Sequence, residues 1–301
     1  MQTEKFLNLL KENGIAFLTN EVMKNHTTFK IGGKADFYIL PETEEQLVNT
    51  VNFAKETRVP YFIIGNGSNL LVKDNGIEGA VIDTTKLNKI IVSGETVECG
   101  AGAKLSRVCL ICKDNSLSGL EFAYGIPGSI GGAFFMNAGA YGGEINDVCL
   151  SAKCLNNSGE VIVLNKEDMC LSYRSSRFKA ENLIIISVKL TLKQGNKEEI
   201  FANMNDYLKR RTDKQPLDYP SAGSTFKRPV GYYAGALIEG AGLKGFSVGG
   251  AQVSEKHAGF VINKNNATAL DVITLMSEVT KRIKEKDGVT LEPEVIIVGR
   301  D

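Results

Sequence analysis

Two glycine-rich stretches hold the residues best placed to bind a ligand. The first, Gly65-Asn66-Gly67-Ser68-Asn69-Leu70, follows the apolar run Tyr61-Phe62-Ile63-Ile64. The second runs from Gly125 through Pro127, Gly128, Ser129, Ile130, Gly131 and Gly132, and leads into Met136-Asn137-Ala138-Gly139-Ala140-Tyr141-Gly142. Glycine reaches positive φ and lets a backbone approach a ligand closely. Successive N–H groups in such turns make concave anion sites. A pair of them suits a ligand with two phosphates, such as a dinucleotide. No Gly-Lys-Ser/Thr follows either stretch, so neither is a Walker loop. Neither has the Gly-x-Gly-x-x-Gly spacing of a Rossmann turn. Taken singly, each reads better as ordinary turn glycine; together they point to phosphate binding.

Six cysteines, Cys99, Cys109, Cys112, Cys149, Cys154 and Cys170, do not form the dense framework of a small secreted domain. Cys109 and Cys112 make a C-x-x-C, a spacing used for redox or metal chemistry. Leu105, Val108, Cys109 and Cys112 also share one face of an expected helix, which reads as packed thiols. No second such pair or nearby histidine completes a zinc set, so no metal is expected.

Composition narrows the classes further. Lys+Arg and Asp+Glu are each 35, which argues against a general nucleic-acid or membrane-surface binder. The start Met1-Gln2-Thr3-Glu4-Lys5-Phe6 has no signal-peptide pattern, and no apolar run reaches membrane-spanning length. The expectation is a cytoplasmic protein without membrane insertion.

The elements that must hold these loops are legible in outline. Helices are expected over 4–13, 43–57, 103–115, 197–211 and 268–286, with capping boxes at Thr43/Gln46 and Thr268/Asp271. Strands are expected over 29–40 (broken at Gly32-Gly33), 61–64, 81–83, 90–92, 97–99, 148–154, 161–164, 183–192 and 291–298. Asn157-Ser158-Gly159 reads as a hairpin turn. Composition shifts near Gly195, which sets a domain boundary there.

Further along the chain lie Thr27-Thr28-Phe29-Lys30-Ile31-Gly32-Gly33, Tyr173-Arg174-Ser175-Ser176, Ser221-Ala222-Gly223-Ser224-Thr225-Phe226-Lys227, Gly242-Leu243-Lys244-Gly245 and Leu291-Glu292-Pro293-Glu294-Val295. With the two glycine stretches, in this order, the chain resembles bacterial UDP-N-acetylenolpyruvoylglucosamine reductases of the compact subclass. The resemblance implies an α+β fold. Its FAD-binding domain, 1–195, is of the vanillyl-alcohol-oxidase type with subdomains of about 1–82 and 83–195. A C-terminal α+β substrate domain, 196–290, follows, and a terminal strand, 291–301, returns to the active site. It also implies non-covalent FAD and NADPH as co-substrate. The flavin contacts would be Gly65, Asn66, Gly67, Ser68, Asn69, Leu70, Gly125, Pro127, Gly128, Ser129, Gly131, Gly132, Asn137, Ala138 and Gly139.

By the same resemblance, the reaction reduces an enol ether conjugated to a carboxylate. Arg174 would grip the carboxylate, Ser224 would give the proton, and Glu294 would act as a neutral acid or orient Arg174. Lys227 would support Ser224. Tyr173, Lys227, Arg228, Lys244 and His257 are the substrate-binding candidates. Arg228 stands where longer members have asparagine, and His257 where they have glutamine. Without the resemblance these residues read as a surface arginine, a turn serine, an edge-strand glutamate and solvated lysines. Tyr232 and Tyr233 suit either uracil stacking or core packing, and Lys209-Arg210-Arg211 a solvated helix end. Two alternatives stay open: another flavin oxidoreductase of the same FAD fold, and a non-catalytic nucleotide-binding protein. Covalent flavin attachment is not expected, because His26 and His257 both lie outside the glycine loops.

Overall fold

The computed structural model describes residues 2–301. The chain divides into two units. The first comprises 1–18, 37–66 and 79–211, and the second 19–36, 67–78 and 212–301. Both units mix helix and sheet.

The first unit has two cores. Phe6 and Leu10 of helix Gln2–Glu12 bury with Leu47, Val51 and Ala54 of helix Glu44–Thr57. The shared face follows from the i, i+4, i+7 spacing on the second helix. Thr43 caps that helix by accepting from the Gln46 N–H, as expected. Gln46 Oε1, however, takes the N–H of Glu42, so the box closes one residue early. Strand Tyr61–Ile64 lies parallel to Ile77–Asp83 and ends in the first glycine loop.

The second core sits against an antiparallel sheet. Its strand order is Val161–Asn165, Cys149–Leu155, Ile184–Thr191, Thr96–Gly100, Ile90–Ser93. Helix Leu105–Asp114 buries Leu105, Val108, Cys109 and Cys112 there, the face expected from their spacing. Cys109 Sγ donates to Leu120 O, and burial pushes the Cys99 and Cys112 thiols up to about 12. Thiols that stay protonated pack as small hydrophobes and are poor nucleophiles or ligands. Helix Lys197–Lys214 sends Ile200 and Met204 into the same core. That packing carries the first unit on to Arg211, past the composition shift near 195.

The second unit is built on helix Ala269–Asp287, whose buried face runs Val272, Leu275, Met276, Val279, Ile283. Its capping box is complete: Thr268 Oγ1 accepts from the Asp271 N–H, and Asp271 Oδ2 from the Thr268 N–H. Asp74 accepts the next free N–H groups, those of Ala269 and Leu270. A three-stranded antiparallel sheet orders Ser247–Val248, Ala251–Val253 and Val261–Asn263. Strand Leu70–Val72 lies parallel to the terminal strand Ile296–Val298. The strand expected from Phe29 begins only at Lys34. Lys30 and Gly32 adopt positive φ, and a Cβ on Gly33 would strike Asp74 O, so 29–33 folds as a loop. No described helix is long and apolar enough to cross a membrane.

Candidate functional site

In the first unit the two glycine loops abut. A Cβ built on Gly65 would collide with Ser129 Oγ, so only glycine allows this approach. Among the described residues, the N–H groups of Gly65, Asn66, Gly128 and Ser129 donate to no protein acceptor. Backbone donors left open on adjoining loops fit an anionic ligand. A dinucleotide diphosphate satisfies them, so the residues present fit FAD.

The second half of that loop serves another purpose. Short helix Ile130–Phe135 spends its first amides internally: Ile130 N–H on Ala103 O, Gly131 N–H on Ala101 O, and Gly132 N–H on Ser129 Oγ. A Cβ on Gly131 would lie 2.8 Å from Ala101 Cβ and 2.9 Å from Ala101 O. Gly131 was expected in the cradle; the structure makes it a packing glycine. Gly131→Ala is therefore expected to cost about 1–3 kcal/mol through overpacking, read as a lowered thermal midpoint. At Gly132 the nearest atom would be 3.4 Å away, and Ala there is expected to melt like wild type.

Arg174 sits at the tip of a two-residue hairpin closed by mutual hydrogen bonds between Ser172 and Ser175. Its φ is +54°, a conformation that costs a side-chain-bearing residue about 1 kcal/mol. The hairpin is held from the segment that follows the second loop. Asn137 Nδ2 donates to Ser172 O at 3.3 Å, and Ser176 Oγ donates to Phe135 O at 2.7 Å. Asn137 is itself buried, with Oδ1 accepting the Asn146 N–H. It is among the expected flavin contacts, and both ends of its amide are engaged within the protein. The guanidinium lies 5.0 Å from the ring of Tyr173, which is exposed.

In the second unit, Ser224 and Glu294 come together through the backbone. Glu294 N–H donates to Thr225 O, and Lys227 N–H donates to Glu292 O. Thr225 is buried; its N–H donates to Gly259 O and its Oγ1 accepts the Val261 N–H. Asn69 Nδ2 donates to Glu294 O, which fixes the terminal segment from its other side. Ser224 is exposed, and Gly223 before it turns with φ +77°.

The substrate-binding candidates of this unit are each engaged. Lys227 Nζ pairs with Glu292 at 3.0 Å, and Lys244 Nζ with Glu239 at 2.6 Å. The Glu292 pair uses one of the three Lys227 N–H donors and leaves two for Ser224 or substrate. Arg228 stacks 3.8 Å from the centre of the Tyr233 ring. Tyr232 and Tyr233 are exposed, so the core-packing reading of both falls. His257 Nδ1 accepts the Gly259 N–H at 3.1 Å, which leaves Nε2 as the protonated nitrogen of the neutral ring. Burial holds its pKa below the ordinary histidine value.

The comparisons match these two units. Residues 35–165 match the family model "FAD binding domain". Residues 215–298 match the model "UDP-N-acetylenolpyruvoylglucosamine reductase, C-terminal domain". The UDP-N-acetylenolpyruvoylglucosamine reductase of Clostridium kluyveri is 52% identical over 94% of this chain and 93% of its own length. That of Caldanaerobacter subterraneus is 49% identical over 98% and 97%. The chain belongs to the UDP-N-acetylenolpyruvoylglucosamine reductase family. The crystal structure of the reductase from Thermus caldophilus superposes with TM-score 0.79 at 34% identity, covering 94% of this chain and 98% of that one. A berberine bridge enzyme variant, 16% identical, aligns over 64% of this chain with TM-score 0.50 and shows the shared fold alone. The fold is α+β, with an FAD-binding part of the vanillyl-alcohol-oxidase type and an α+β reductase C-terminal domain.

Some residues of this family site escaped the sequence reading. Thr225 was read only as a member of the Ser221–Lys227 motif, yet its buried N–H, hydroxyl and carbonyl tie three segments together. Arg211 was read into a solvated basic helix end. Arg210 does point out, paired with Asp206, but Arg211 is largely buried beside Gly125. The i+1 offset puts the two on different helix faces, which was the available signal.

Proposed function

We propose that this chain reduces the enolpyruvyl group of UDP-N-acetylglucosamine enolpyruvate to give UDP-N-acetylmuramate, a peptidoglycan precursor, in the cytoplasm. The observation that carries the reading is the family match across both units, joined to the hydrogen bond from the Glu294 N–H to the carbonyl of Thr225, the residue after Ser224. Gly65, Asn66, Gly128 and Ser129 would hold FAD through their open amides. FAD, when bound, supplies hydride transfer from NADPH to the terminal carbon of the enolpyruvyl double bond.

The chain's own residues handle charge and proton. Negative charge gathers on the carbon next to the carboxylate and spreads into its oxygens. Arg174 grips those oxygens with two parallel N–H bonds and stays charged at any working pH. Ser224 Oγ gives its proton to the carbon, and the resulting alkoxide is reprotonated from water. Glu294, as a neutral acid or through Arg174, stabilises the same charge. Lys244 meets the diphosphate by exchanging its carboxylate partner for a phosphate oxygen, and Lys227 supports the Ser224 alkoxide.

Without oxygen, purified protein should oxidise NADPH beyond one equivalent per flavin only when the enolpyruvyl sugar nucleotide is present, and yield a product heavier by two hydrogens. NADPH oxidation without that dependence contradicts the proposal. Denaturation should release all flavin into the supernatant, since neither histidine lies in a glycine loop and the buried thiols are protonated. Flavin that precipitates with the chain contradicts non-covalent binding.

A further inference from the structure

Among the described residues the arginines sort by partner. Arg177, Arg210, Arg282 and Arg300 pair with carboxylates. Arg174 and Arg228 lie over tyrosine rings. Arg58 and Arg107 are exposed. Arg211 belongs to none of these groups. It is not exposed, and its guanidinium has no ion pair or hydrogen bond with any described residue. Burial lowers its pKa, against which only the Tyr141 phenol acts, and no carboxylate offsets the loss of water. A desolvated guanidinium without a counter-charge is costly unless something outside the chain supplies one.

The position of Arg211 says what could supply it. It lies on helix Lys197–Lys214 against Gly125, the first residue of the second glycine loop. A Cβ on Gly125 would lie 3.0 Å from Arg211 Cδ and 4.0 Å from Nε, so glycine makes room for the arginine stem. The N–H groups of Gly125, Gly128 and Ser129 in that loop have no acceptor among the described residues. A forked cation packed against a short loop with open amides brings together the two donor types that take an oxyanion.

We propose that Arg211 is a phosphate-binding residue, whose guanidinium takes an oxyanion of the FAD diphosphate at the Gly125–Ser129 loop. This rests on the reading that the unit holds FAD. The requirement is for arginine, since a lysine point charge cannot reproduce the fork.

The test uses the flavin-loaded protein and measures FAD release on dilution, through recovery of free-flavin fluorescence. Arg211→Gln should weaken FAD binding by about 10–100-fold, the usual loss for a charge-assisted hydrogen bond, and flatten its salt dependence. Arg211→Lys should fall between Gln and wild type. Gly125→Ala, which keeps the arginine but displaces its stem, should weaken binding in the same direction. The flavin midpoint potential should not move in any variant whose melting temperature is unchanged. Unchanged FAD affinity in Arg211→Gln overturns the proposal. So does a shifted potential at constant affinity, which puts the guanidinium on the flavin ring. A raised KM for NADPH at constant FAD affinity also overturns it, assigning the arginine to the other nucleotide. Wild-type protein unable to hold FAD overturns the FAD reading and this proposal together, whereas an indifferent Arg211→Gln overturns this proposal alone.

Discussion

Ser224→Ala is expected to leave the NADPH-driven loss of flavin absorbance near its wild-type rate and to slow its recovery by the enolpyruvyl substrate at least ~10²-fold. The asymmetry follows from where a proton is needed. Oxidation of NADPH delivers none to a substrate carbon, whereas reduction of the double bond does. The backbone around Ser224 is fixed independently of its hydroxyl. Thr225 bonds Gly259, Val261 and Glu294 through its N–H, Oγ1 and O. Removing one exposed oxygen at 224 should therefore leave folding and flavin content intact. Ser224→Cys should regain part of the rate, since a thiol also gives a proton. Stopped-flow traces of each half, after flavin content is checked, decide the matter. Equal slowing of both halves, or of neither, makes Ser224 a turn residue.

Arg174→Lys is expected to lower the rate of the second half by ~10²-fold while the first stays within a few fold. Lysine keeps the charge but loses the two parallel donors that match a carboxylate. The loss should not be repaired by raising substrate concentration, because the grip tightens as charge moves into the carboxylate. The Ser172–Ser175 hairpin gives a second check. Asn137→Ala removes the bond to Ser172 O and leaves Arg174 in place chemically but unpinned. Its turnover should fall in the same half-reaction, though less than for Arg174→Lys. If Arg174→Lys lowers both halves alike, the arginine serves flavin binding rather than the developing charge.

Much of the architecture was legible because it was written locally. The Thr268/Asp271 box, the turn at Gly159 and the shared face of Leu105, Val108, Cys109 and Cys112 depend on residues within one or two helical turns. What was not legible depends on distant neighbours. The break at Gly32-Gly33 was expected, but that 29–33 folds as a loop with Asp74 O against Gly33 was not, and strand Leu70–Val72 pairs with the distant Ile296–Val298. Segments 19–36 and 67–78 join the second unit through side chains such as Phe29, Ile31 and Leu71, which bury among Val272, Leu275 and Val279. Short apolar runs do not say which core will take them.

The site divides in the same way. The glycine loops announced an anion site, and the family motifs named Arg174, Ser224 and Glu294. Which glycine served which purpose was invisible, since Gly131 and Gly128 differ only in what faces them: Ala101 crowds the first, while the second keeps an open amide. The partners of Lys227 and Lys244 were hidden too. They are Glu292 and Glu239.

The central claim is that the chain passes electrons from NADPH to an enolpyruvyl sugar nucleotide through a bound flavin. The most direct measurement is the visible absorbance of the purified protein under anaerobic conditions. The spectrum should show flavin, bleach on addition of NADPH, and return when UDP-N-acetylglucosamine enolpyruvate is added but not when UDP-N-acetylglucosamine is. A spectrum that NADPH does not bleach, or one that the enolpyruvyl nucleotide does not restore, contradicts the account.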